Sequence, residues 1–407
     1  MEDEGQAPRP GPLEGLRVVD CSTVLAGPYC TMLLADLGAE VIKVEPPDGD
    51  ATRGWGPPWV GDESAGTRTA AYFLAVNRNK RSLRLDLRTD DGREVLRRLI
   101  AGADVLVENY RAGGFERLGF SDAVLDGLNA NLVHLAIGGY GAGGPDAAKP
   151  GYDFVVQATG GLMSITGYAD GPPTKVGVAI SDVVTGLFGT ISVLAGLLAK
   201  PRAGGQRVDV SILQSTLAIL ANQAQNAFVT GRAPGRRGNA HPNIVPYETF
   251  PTADGIIAVA VGSERQWVRL CEALAMPELA ADQRFATNGD RVDRRAALIP
   301  LLAARFATDT SAAWLARLDD AEVPVGPLLD VLEAFASPQA RAVEARVPMS
   351  HPALGQVDQV RSPFDFAATP TSIRIPPPLL GEHTDKILAE LGFDASSISQ
   401  MRASRTV

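Results

Sequence analysis

A chain of 407 residues, 45% hydrophobic and 21% charged, has material for two or three domains with sizeable cores. Its net charge of −9 and the lack of any long basic run argue against nucleic acid or an anionic membrane as the main partner. An acidic total still allows a local basic pocket for an anionic small molecule.

The three cysteines, Cys21, Cys30 and Cys271, have no metal-type spacing. They read as free thiols in a reducing compartment, so the expected location is the cytoplasm. The lead MEDEGQAPRPGP is acidic and Pro-rich and reads as flexible, not as a signal peptide. Four scattered histidines predict no metal site, and His134, inside an apolar run, reads as a core residue. No Cys-x-x-Cys, His-x-x-x-His or G-x-S-x-G motif occurs, which removes support for zinc and Ser-hydrolase chemistry.

In chain order, LRVVDC from Leu16 to Cys21 reads as a buried strand. The loop STVLAGPYC follows, then a helix TMLLADL closed by Gly38, then the strand AEVIKVE. This is a βαβ unit of Rossmann type, but its first turn holds only Gly27 and lacks the G-x-G-x-x-G fingerprint of dinucleotide binding. Pro46 to Ala71 reads as a long Gly/Pro/Trp-rich loop. The cluster Arg78, Lys80 and Arg81 is either a solvated turn or an anion site. DDGREVLRRLIAGA predicts an amphipathic helix. DVLVENY predicts a strand with Asn109 and Tyr110 at its carboxyl end, where α/β sheets bind ligands. NLVHLAIGGYGAGGP is a further strand running into a Gly-rich loop. RVDVSIL is a strand expected to enter one apolar helix reaching Val229. Strands and amphipathic helices then alternate to a final helix capped by Thr384.

The stretch from Pro150 to Lys200 organises the rest. VGVAI, at 176–180, reads as a strand or loop, and VVTGLFGTISVLAGLL as a buried helix, too short and Gly-interrupted for a membrane span of about 20 apolar residues. Asp182, at their junction, is the only ionisable residue between Lys175 and Lys200. A lone carboxylate there has two readings, an N-cap or a nucleophile that attacks a carbonyl.

STVLAGPYCTMLLADLGAEVIKVEPP, VNRNKRSLRLDL, ADVLVENYRAGGFERLGF, GYDFVVQATGGLMSITG and PPLLGEHTDKILAELG together resemble the class III CoA-transferase family, also called the CaiB/BaiF type, over nearly the whole chain. The resemblance implies an α/β protein with a Rossmann-like large domain (1–228, completed by about 335–407), a linker and smaller α/β domain (229–334), and two chains interlocked as rings in a homodimer. It implies Asp182 as catalytic nucleophile. It implies coenzyme A contacts from Leu25 and Ala26, from Leu85 to Arg88, from Asn109, Tyr110 and Arg111, from Arg117, and from Gly138, Gly139 and Tyr140. Coenzyme A or acyl-CoA would enter as substrate, with no permanently bound cofactor. Where some members carry an Arg or a Lys, this chain has Pro46 and Gly138, so phosphate contacts are expected from Arg88 or Arg117.

The expected reaction is CoA transfer from an acyl-CoA to a free carboxylic acid. WGPPWVGDES and GNAHPNIVPYETF resemble the succinyl-CoA:glutarate type, and Arg53 and His241 are candidates to hold the acceptor's second carboxylate. An acyl-CoA racemase of the same superfamily is the nearest rival. Its His in a Gly-His-Asp segment is here Tyr152 in Gly151-Tyr152-Asp153, and a Tyr of ordinary pKa near ~10 is a poor base at neutral pH. A non-catalytic acyl-CoA binder is a rival from a different class, and a nicotinamide dehydrogenase is a more distant one.

Overall fold

The computed structural model describes residues 10–407, so the acidic lead before them lies outside the described residues. The chain divides into two compact units. The first comprises residues up to 162, 176–224 and 339–407, and the second comprises 163–175 and 225–338. The segment 163–175 thus groups with the second unit, although its sequence pattern suggests a place in the large domain.

The first unit is built on six strands: β1 (Arg17–Cys21), β2 (Glu40–Glu45), β3 (Lys80–Arg84), β4 (Val105–Glu108), β5 (Val133–Gly138) and β6 (Gln206–Ser211). They pair in the order β3-β2-β1-β4-β5-β6, every pair parallel. That is the doubly wound order, whose direction reverses between β1 and β4. The inner strands β1, β4 and β5 are mainly apolar runs because both faces are covered, whereas the edge strands β3 (KRSLR) and β6 (QRVDVS) carry charges. Val18, Val41, Val105 and Val107 face one core, with Cys30 and Leu34 of α1 (Ala26–Asp36). Their neighbours Val19, Ile42 and Leu106 face the other, with Val95, Leu96 and Leu99 of α2 (Asp90–Ala101).

Helix α1 begins five residues before the expected Thr31, so Pro28 is its third residue. α3 (Asp153–Thr159) forms where the apolar run breaks at Gly160 and Gly161. α4 (Ile180–Ala203) is 24 residues long and apolar enough to cross a membrane. Here one face of it packs on α1 and β5 while the opposite face, with Ile191 and Leu198, is exposed, so the expected buried helix is buried on one side only. Gly186 lets its backbone meet α1, since a Cβ there would lie 2.7 Å from the Ala26 carbonyl oxygen. The expected run to Val229 is broken instead, into α5 (Ile212–Ala218) and Ala221–Thr230, with Ala221 at φ +43 between them.

Near the C-terminus, Thr384 does not cap its helix. It is the first helical residue, and its hydroxyl accepts the Arg84 N–H at 3.1 Å. A second helix, Ala395–Ala403, follows it.

The second unit carries a three-stranded antiparallel sheet, with Ile256–Ala260 between Tyr247–Pro251 and Val325–Pro327. Helices bury Trp267, Phe306 and Trp314 against it. Its one fully buried arginine, Arg291, donates to the carbonyls of Val245 and Phe285 and pairs with Glu264.

Candidate active site

In an open parallel sheet, ligands bind outside the carboxyl ends of the strands where the order reverses. A cavity of about 440 Å³ lies there. Thr23 to Ala26 enter it from the turn after β1, and Glu108 to Gly113 from the end of β4. Ala136 to Gly139 come from the end of β5, Lys149 to Tyr152 from the segment before α3, and Asp182 from α4. Gly139 and Gly151 make this wall possible. Their chains cross so closely that a Cβ on Gly151 would lie 2.3 Å from the Gly139 Cα.

Asp182 is the third residue of α4, inside its first turn, not at its cap. The N-cap is Ala179, and residues 176–179 form no strand. The capping is done from outside. Asp153 accepts the Ser181 N–H at 2.9 Å and the Gln157 amide at 2.8 Å, while Gln157 accepts the Val176 N–H at 2.9 Å.

Asp182 is 8% exposed. Its carboxylate makes no hydrogen bond or ion pair among the described residues. Burial, with Asp153 as a second negative charge, raises its pKa to about 7. Burial and the same two carboxylates push Tyr72 up to about 12. A helix N-terminus therefore does not keep Asp182 in the usual carboxylate range, as its position would suggest; desolvation is the larger effect. An unpartnered buried carboxylate at a cavity wall is what a nucleophile needs and what a structural cap avoids.

Of the residues expected at a coenzyme A site, Leu25, Ala26, Asn109, Tyr110, Arg111, Gly138 and Gly139 line the cavity with Asp182. Leu85, Arg88, Arg117 and Tyr140 are not among its lining residues. Leu85 is buried in the core, and Arg88 folds back on Asp86 with its Nη2 at 2.7 Å. Arg117 lies beside Gly113, whose φ of +72 suits glycine. The cations that do line the cavity are Arg111, Lys149 and Arg207. Arg207 is held by Asp209 and Asp122, so its charge is partly answered. Arg111 has no ion-pair or hydrogen-bond partner for its guanidinium among the described residues.

Three expectations are corrected. Arg78, Lys80 and Arg81 are neither a solvated turn nor a free anion site. Arg78 pairs with Asp36, Lys80 with Asp20, and Arg81 with Glu40 and Glu390. Arg53 is committed too. It forks onto Glu45 at 2.7 and 2.8 Å, donates to the Pro378 carbonyl, and stacks over Phe73 at 3.6 Å. Only its Nη1 is without a partner among the described residues, so the paired donors that would hold an acceptor carboxylate are already taken. His241 belongs to the second unit, where its ring tilts against Tyr247 at 5.1 Å and its Nδ1 accepts the Asn243 N–H. Burial and the Arg295 charge hold its pKa below the ordinary value, so it is a weak anion holder near neutral pH.

The description "CoA-transferase family III" matches residues 13–384. The chain belongs to that family. A succinate–glutarate CoA-transferase from Agrobacterium fabrum is 42% identical over 94% of this chain and 96% of its own. An acetyl-CoA:oxalate CoA-transferase from Acetobacter aceti is 41% identical over 84% and 87%. A crystal structure of a CaiB/BaiF family protein from Brucella suis superposes with a TM-score of 0.83, at 42% identity over 94% of this chain and all of that one. This chain is accordingly a family III CoA-transferase, an enzyme acting on CoA thioesters. Its mixed α/β fold with a parallel central sheet is that of the CaiB/BaiF structures.

Lys149 and Arg207 carried no signal in the sequence. Lys149 is separated from the Gly-rich loop by the four residues 145–148, and Arg207 opens a segment that the sequence marked only as a strand.

Proposed function

We propose that the enzyme moves CoA from succinyl-CoA to a C4–C6 dicarboxylic acid such as glutarate, with Asp182 as the covalent nucleophile. The observation that carries this is the unpaired, buried Asp182 carboxylate in the wall of the switch-point cavity. An Asp182 oxygen attacks the thioester carbonyl, the C–S bond breaks, and CoA leaves as thiolate from an acyl-aspartyl anhydride. The thiolate attacks Cγ of Asp182, the anhydride C–O bond breaks, and the donor acid departs from an aspartyl-CoA thioester. The acceptor carboxylate then attacks Cγ and expels the thiolate. That thiolate takes the acceptor acyl group and returns Asp182 to its starting state. Each step exchanges one activated acyl group for another, so ATP is not needed.

The dicarboxylate reading is supported by the names of the two relatives, both of which pair CoA transfer with a dicarboxylate. A racemase reading is not favoured, because Tyr152 stands where that chemistry needs a base. A homodimer, interlocked as the family resemblance implies, is supported by Phe188, Ile191 and Leu198. These apolar side chains on α4 are 36%, 60% and 78% exposed in one chain. Dilution should yield no folded monomer in sedimentation, and a reversible monomer would refute the interlock. The three free, buried cysteines suit a reducing compartment such as the cytoplasm.

The deciding experiment incubates the enzyme with succinyl-CoA and then hydroxylamine. Mass spectrometry should find a hydroxamate on Asp182. Asp182→Asn should bind CoA but lose transfer by roughly three or more orders of magnitude. Normal transfer by Asp182→Asn would exclude the mechanism. Equal rates with butyrate and glutarate would exclude a dicarboxylate-specific acceptor site.

A further inference from the structure

Beneath the turn after β1 lies a set of charges that the chemistry above does not use. Asp20, Lys43, Glu45, Asp50 and Lys80 are each no more than 1% exposed, and the Arg53 side chain is 11% exposed. They form three ion pairs: Lys43 with Asp50 at 2.9 Å, Lys80 with Asp20 at 3.1 Å, and Arg53 with Glu45 at 2.7 Å.

Part of this network grips one short stretch of backbone. The Ser22 N–H donates to Asp20 at 3.0 Å, and the Ser22 carbonyl accepts from Lys43 Nζ at 2.9 Å. The Thr23 N–H donates to Asn109 Oδ1 at 2.9 Å, and its carbonyl accepts from Asn109 Nδ2 at 2.8 Å. The Val24 N–H donates to the Asp50 carboxylate at 3.3 Å. Consecutive polar groups of the chain, from the Ser22 N–H to the Val24 N–H, are thus each held by a side chain. In this grip Val24 has a φ of +71, a left-handed conformation that a β-branched residue rarely adopts. Leu25 and Ala26 follow at once and line the cavity with Asp182.

Buried ion pairs are weak contributors to stability, and apolar replacements that match them in volume are often neutral. Apolar side chains cannot, however, hold an N–H and a carbonyl in place. We propose that Lys43 and Asp50 are positioning residues for the transfer reaction. The pair holds the Ser22–Val24 turn in its left-handed conformation, and so sets the Leu25–Ala26 wall against the reacting carboxylate. This rests on reading the cavity as the acyl-transfer site.

The test compares Lys43→Met/Asp50→Leu, which removes both charges together, with the wild type. Amide exchange of the peptide covering 22–27 should speed up about tenfold or more. In turnover, kcat should fall roughly 10- to 100-fold, while KM for acyl-CoA shifts by less than about threefold. Adding Val24→Gly, which accepts the positive φ without a clamp, should recover at least about threefold of kcat. Unchanged exchange would overturn the clamp. Faster exchange with wild-type kcat would overturn the positioning role. If the double variant does not fold, Asp50→Asn, which weakens the hold on the Val24 N–H and removes the pair's negative charge, is judged by the same two readouts. The exchange measurement does not depend on the reaction, whereas hydroxylamine trapping at Asp182 in the wild type tests the site reading by itself.

Discussion

Asp153→Asn isolates how the first turn of α4 sets the ionisation of Asp182. Asp153 has two roles in the structure. It accepts the Ser181 N–H, and it contributes a negative charge beside Asp182. Asparagine keeps the first role, since its Oδ1 can accept the same N–H, and removes the second. Its amide meets the donor face of Gln157, which now donates to Asp153, so that one hydrogen bond is lost. The Asp182 pKa lies at about 7 against an ordinary 3.8, with burial the larger cause and Asp153 the smaller. Loss of the smaller cause should lower the acid limb of activity by about one pH unit, equivalent to about 1.4 kcal/mol. In the proposed mechanism the nucleophile is the ionised form, so rate rises with pH through the pKa. At pH 6 the ionised fraction would go from about a tenth to about a half, roughly a fivefold gain in kcat/KM on that limb. The plateau above pH 8 should fall or stay level, because a less basic carboxylate is a weaker nucleophile. The assay is kcat/KM for succinyl-CoA from pH 5 to 9, which reports the free enzyme. An acid limb that stays in place, or moves upward, would refute the electrostatic coupling of the two carboxylates.

Two further outcomes follow from the same geometry. Because folding raises the Asp182 pKa, the folded state holds its proton more tightly than the unfolded chain. That contribution to stability is present below pH ~4 and is lost as pH rises through about 7. Asp182→Asn should therefore be more stable than the wild type at pH 8, by at most roughly 4 kcal/mol, with the difference shrinking toward pH 4. Thermal melts across that range check it, and a gap that widens at low pH would contradict the burial argument. Arg53→Ala should act on stability more than on acceptor KM, because it removes the ion-pair partner of Glu45, which is 1% exposed and keeps only the Ser82 hydroxyl and the Asp50 N–H as donors. A loss of roughly 3–5 kcal/mol is expected in denaturant titration, whereas a large rise in glutarate KM with unchanged stability would restore Arg53 to the acceptor site.

Much of the first unit was legible because its strands carry their own signal. LRVVDC, AEVIKVE and DVLVENY are short runs rich in Val, Leu and Ile, closed by polar residues, and each became a parallel strand within a residue or two of the expected ends. The carboxyl-end rule then singled out Asn109 and Tyr110, which line the cavity. What stayed hidden depended on contacts remote in sequence. Arg78, Lys80 and Arg81 look like a free basic cluster only until Asp36, Asp20 and Glu40 are folded against them. Thr384 and Asp182 both have the residue type of a cap. In each case the polar side chain lies inside the first turn and does not cap it: the Thr384 hydroxyl accepts the Arg84 N–H instead, and at Asp182's helix it is Asp153 that accepts the Ser181 N–H.

The same displacement explains why the Asp182 carboxylate is left without a bonded partner. Had Asp182 been the N-cap, its oxygens would have been occupied by first-turn N–H groups and its pKa drawn down, as happens to a carboxylate that accepts several backbone donors. Moving the capping oxygen to Asp153 frees the Asp182 carboxylate and at the same time places a like charge beside it. Both consequences act in one direction, toward a more basic and less committed oxygen. Burial on α4 is secured by Gly186, whose missing side chain lets the first turns of α4 close on the Ala26 carbonyl. A cavity at the β1/β4 reversal therefore receives its proposed nucleophile from a helix packed across the sheet, not from a strand end, and that helix packs on the same α1 whose opening turn also lines the cavity.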